Sequence, residues 1–92
     1  MPTPHPLGSF WNLEPGCTYL NHGSFGPAPL PVLAARRAWS ERLARQPMRF
    51  FLDELEPQLD RVAGLLAAFV GTRPDRLALL DNATFAMNVV AA

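Results

Sequence analysis

The side chains able to do chemistry gather at two places in this chain. One is the loop "NHGSFGPAP", which opens at Asn21 and sets Asn21, His22 and Ser24 beside Gly23 and Gly26. Glycine permits positive φ or close backbone approach, and His22 can give or take a proton near neutral pH. The sequence offers His22 no partner, and an isolated His-Gly turn is more commonly a solvated one. The other place is "LALLDNATFAMN", where an apolar run meets Asp81 and Asn82 and a helical pattern opens at Ala83. Amides of a first helical turn lack intrahelical partners and carry the positive end of the helix dipole. A phosphate can therefore accept from the amides near Ala83 and Thr84 and from the Thr84 hydroxyl. Capping by Asp81 or Asn82, with Thr84 merely in the first turn, is the commoner use of such residues. No Gly-rich fingerprint accompanies the junction.

What the chain lacks narrows the chemistry further. All eight of its basic residues are Arg, so a reaction needing a lysine amine must draw it from outside these 92 residues. The Arg are matched by eight acidic residues, and no basic run exceeds Arg36-Arg37, which argues against nucleic-acid and anionic-membrane partners. The start "MPTPHPLGSFW" has neither the basic end nor the apolar stretch of a signal peptide, and no segment reaches the length of a membrane span. No metal site is expected. The single Cys17 can form no internal disulfide, which fits a cytoplasmic location. Beside a β-prone run it reads as a small buried hydrophobe.

The elements that must position these residues follow from periodicity and punctuation. With 49% hydrophobic and 17% charged residues, the chain calls for a core. Residues 1–16 hold four prolines and two glycines and read as an extended arm. "CTYL" is a short β-prone run. "VLAARRAWSERLARQ" is a helix, with Val32, Ala35, Trp39 and Leu43 on one face and charge on the other, stopped by Pro47. "MRFFLDELE" is a short helix or turn. Pro57 is placed to begin a further helix, buried along Leu59, Val62, Leu66 and Phe69 and ended by Gly71. Trp39, Phe50, Phe51 and Phe69 are expected in the core, with Phe25 undecided. "RLALL" is then a buried strand, and the last helix starts at Ala83. Two short strands are too few for an independent sheet. The helix, helix, strand, helix order is that of an α/β domain at its beginning, so the chain reads as the N-terminal piece of a longer protein.

Loop and junction together resemble a known family. "YLNHGSFGPAPLPVLAARRAW", followed by "RFFLDELEPQLDRVAGLLAAFVGTRPDRLALLDNATFAMNVV", is similar to the start of a class V aminotransferase-fold enzyme of the isopenicillin N epimerase-like branch. The likeness rests on an LNHGSFG-type loop and an N-A-T-x-x-x-N junction, and it covers residues 18–92. It implies an α/β fold of the aspartate aminotransferase-like type (fold type I), mostly helical within this stretch. Residues 1–27 would be an arm and active-site loop, and 28–92 the incomplete beginning of the large domain.

The same resemblance implies pyridoxal 5'-phosphate as cofactor, its phosphate held by Ala83 and Thr84. It places Asn21, His22 and Gly23 toward the carboxylate end of an amino-acid-type substrate, and it implies a homodimer. The family's Schiff-base lysine, the acidic partner of the pyridine nitrogen and the ring-stacking residue belong downstream. No catalytic residue is thus expected within this stretch, and the stretch alone is expected to be inactive. Epimerase, aminotransferase and lyase chemistry all fit. A cysteine desulfurase-like sulfur lyase is the nearest competitor, though Cys17 lies in the wrong region for its nucleophile. A reading of another class is a non-catalytic helical interaction module using the Trp39/Leu43 and Leu59/Leu66 stripes.

Overall fold

A computed structural model describes residues 5–92, and these fall in two units that divide after Gln46. The first unit opens with a 3-10 turn, Pro6–Phe10, where His5 Nδ1 accepts from the Leu7 amide at 3.1 Å. That turn interrupts the arm expected to be extended; residues 1–4 of the arm lie outside the described residues. Next comes a tight turn in which the Cys17 amide donates to the Glu14 carbonyl at 3.0 Å, with Gly16 at φ 78°. Proline followed by glycine at positive φ is the central pair of a type II turn, here Pro15 and Gly16.

Residues 17–20 join no ladder, which corrects the expectation of a strand. A β-prone run becomes a strand only beside a second one, and no described residue lies in a strand. Cys17 is exposed, against its expected burial. A single helical turn, α1 (His22–Phe25), stands where the sequence suggested an irregular loop. Helix α2 (Leu30–Arg45) begins just ahead of Val32 with Pro31 in its first turn, where the missing donor is not needed. It ends ahead of Pro47, as its punctuation requires. Trp39 and Leu43 are half-buried on its apolar face, and the Arg42 guanidinium lies 5.1 Å from the Trp39 ring centroid.

The second unit begins with α3 (Pro47–Arg49), a π turn (Phe50–Glu54) and α4 (Leu55–Val70) in unbroken succession. Pro57 therefore sits third in α4 and does not start a helix. The π turn shifts the bonding register, so that the Leu55 amide reaches the Phe50 carbonyl. Pro57 falls just past that shift, within the first turn of α4, where it brings no donor. The C-terminus behaves as expected: Gly71 is left-handed at φ 79°, and its amide and that of Thr72 both donate to Ala67 O.

The apolar stripe of α4, whose burial needs the rest of a larger domain, stays open within these residues, as expected for an incomplete core. Leu59, Val62, Leu66 and Phe69 are all exposed, Phe69 at 87%, and Ala67 is the one buried residue among those described. Phe51 is exposed as well, while Phe50 is half-buried. The reason is geometric: within this unit, a 16-residue helix faces little besides the turns at its two ends and residues 77–80. After a 3-10 turn, Pro74–Arg76, braced by the Arg73 guanidinium on the Asp75 carboxylate, the chain leaves with Leu77 extended (φ −124°, ψ 129°) and residues 77–80 join no ladder. The run expected as a buried strand thus lacks the partners that would make it one. Helix α5 (Ala83–Ala91) follows.

Candidate functional site

At the junction, Asn82 is the residue that caps α5. Its backbone is extended (φ −162°, ψ 169°) and its Oδ1 accepts the Phe85 amide at 2.8 Å. The first helical bond runs from the Ala86 amide to Asn82 O at 3.1 Å. The amides of Ala83 and Thr84 lie ahead of both bonds and have no helical carbonyl to reach. The cap thus uses a different amide from the two that stay open in the same turn. Asp81, the other candidate cap, precedes the helix at a bend. Thr84 and Ala83 are exposed, leaving two amides and a hydroxyl open at the positive end of the helix.

The loop site is built inside the first unit. Asn21, His22 and Gly23 stand together at the entry to α1, and all three are exposed. The Tyr19 hydroxyl donates to the Phe25 carbonyl, and the Tyr19 ring meets His22 edge to face with centroids 5.3 Å apart. Just beyond, the Trp11 indole donates to the Pro27 carbonyl at 3.0 Å. Gly26 lies between those two carbonyls, and a Cβ there would stand 3.0 Å from His22 O. Close backbone approach is what the glycine permits. Sequence reasoning gave His22 no partner and missed Tyr19. The available signal was an aromatic three residues ahead of the histidine. Ser24 lies within α1.

In the second unit a shallow groove lies between α4 and residues 77–80, with Leu59, Asp60 and Ala63 across from Leu77, Leu79 and Leu80, and Asp81 at its margin. No group of three metal-ligating side chains occurs among the described residues. No helix there is long and apolar enough to cross a membrane.

Curated proteins with similar sequences carry two kinds of name. Isopenicillin N epimerase of Amycolatopsis lactamdurans is 43% identical over 81 residues, 88% of this chain and 20% of that protein. The probable chloroplastic L-cysteine desulfhydrase of Arabidopsis thaliana is 35% identical over 82 residues, 88% of this chain and 17% of that protein. A putative L-cysteine desulfhydrase 2 of Oryza sativa subsp. japonica is 39% identical over 72 residues, 77% of the chain and 15% of the relative. The chain is a homologue of these enzymes. They include the epimerase branch that the loop and junction resemble and a sulfur-handling group close to the competitor reading. The chain spans a fifth or less of the length of these relatives. No protein-family model matches it, and no solved structure does either.

Proposed function

We propose that these residues are the N-terminal part of a pyridoxal-phosphate-dependent enzyme acting on an amino acid or an amino-acid-derived compound. The observation that carries this reading is the division of labour at the head of α5. Asn82 takes the Phe85 amide, so the Ala83 and Thr84 amides and the Thr84 hydroxyl remain as three donors for a phosphate dianion. That donor set fits the cofactor's phosphate. The names of the relatives support the same reading.

The cofactor, when bound, supplies an electron sink for chemistry at the substrate's α-carbon. Within this stretch, Ala83 and Thr84 hold its phosphate end, while Asn21, His22 and Gly23 meet the carboxylate end of the substrate. The required lysine amine comes from outside the chain, which contains no Lys. An α/β aminotransferase-like fold and a homodimer go with the proposal as implications of the resemblance, and a cytoplasmic location as what the single Cys17 fits. Epimerisation and lyase chemistry both remain within it, because epimerase and desulfhydrase names occur among the relatives. The test is cofactor titration of the apo form of the full-length protein. Saturable binding that Thr84→Ala weakens supports the reading, and an absence of binding overturns it.

A further inference from the structure

We infer that Tyr19 is a positioning residue that sets the orientation of His22 toward the substrate. The inference rests on the loop assignment above and adds to it a residue that the motif did not single out. His22 is exposed, and an exposed imidazole on a short turn would ordinarily sample several rotamers. Two contacts from one side chain restrict it here. The hydroxyl of Tyr19 donates to the carbonyl of Phe25, the last residue of α1, and so ties off the turn that carries His22. The ring of the same Tyr19 stands at 86° to the imidazole, with centroids 5.3 Å apart, an edge-to-face arrangement that aromatic rings favour.

Neighbouring features hold the same geometry. The Trp11 indole anchors the chain at Pro27 O, two residues past the Tyr19 bond. Gly26 between them lets the strap close over His22 O, where a Cβ would sit at 3.0 Å. A four-residue helix is too short to hold itself in water. Its shape depends on these side-chain ties, and Tyr19 provides the one that also touches His22.

A double-mutant cycle in the full-length holoenzyme tests this with Tyr19→Phe, His22→Ala and the pair, reading kcat, KM and cofactor affinity for each. Tyr19→Phe keeps the ring and removes the hydroxyl. Loss of that one hydrogen bond is expected to lower kcat/KM about fivefold, with cofactor affinity unchanged. In the His22→Ala background the same substitution is expected to change nothing, because its effect passes through His22. Equal losses in both backgrounds, or no loss in Tyr19→Phe while His22→Ala is impaired, would overturn the positioning role and leave the loop assignment standing. Full activity in His22→Ala alone would overturn the loop assignment itself, and the inference with it.

Discussion

Asn82 Oδ1 and the Phe85 amide, 2.8 Å apart, settle how one helical turn can be capped and still offer donors to an anion. The cap reaches the third helical residue, and the two amides before it stay open. Stability of α5 and the proposed affinity for a phosphate are therefore separable by mutation.

Thr84→Ala in the full-length protein removes a hydroxyl donor without touching the cap. Pyridoxal phosphate binding should weaken by roughly 1–3 kcal/mol, the range for a hydrogen bond to a charged group. Titration of the apo form measures it. Unchanged affinity would remove Thr84 from the site.

Asn82→Ala takes away the Phe85 bond instead. Loss of such a cap costs about 1 kcal/mol of stability. Thermal or denaturant unfolding of the full-length protein should show that loss, while Asn82→Asp, which keeps an acceptor, should restore most of it. Equal stability of all three forms would mean that the cap contributes nothing there.

His22→Ala should impair turnover more than cofactor binding, since His22 stands in the loop assigned to the substrate and not at the phosphate. Bound-cofactor absorbance and steady-state rates, read side by side, distinguish the cases. Normal rates with lost cofactor would reverse the assignment. Normal values of both would return His22 to a solvated turn.

Gly71→Ala puts a Cβ on a left-handed residue at φ 79°. The backbone penalty is roughly 1–2 kcal/mol, and the stop of α4 is its site. Urea unfolding of the full-length protein should show a lowered midpoint with the slope retained. An unshifted midpoint would mean that the turn relaxes at no cost.

Residues 1–92 by themselves should keep helix but melt without a sharp cooperative transition. Leu59, Val62, Leu66 and Phe69 are exposed, as are Leu79 and Leu80, and exposed apolar surface of this kind favours association over a single packed state. Lacking Lys, the chain should also leave the cofactor's absorbance unchanged. Circular dichroism during heating, with an absorbance scan, checks both. A sharp reversible melt from a monomer would favour the stand-alone helical module.

Much of this was legible in the residues because it is local. Pro47 and Gly71 ended helices where their backbone chemistry demands, and the helix after Asn82 began at Ala83. Each outcome depends on a few neighbouring residues and their own φ, ψ and donors. The two candidate sites were visible for the same reason, as short motifs, although their roles remained matters of resemblance.

What only the tertiary structure decided involves a second piece of chain. The runs at 17–20 and 77–80 carry β propensity, yet neither forms a ladder, because a strand is made by its neighbour's hydrogen bonds. Cys17 and Phe69 are apolar enough for a core, yet burial requires something packed over them, and both are exposed. Tyr19 reads from sequence as one more aromatic in a β-prone run. Only the folded turn brings its hydroxyl to Phe25 and its ring to His22, since that meeting depends on where α1 doubles the chain back.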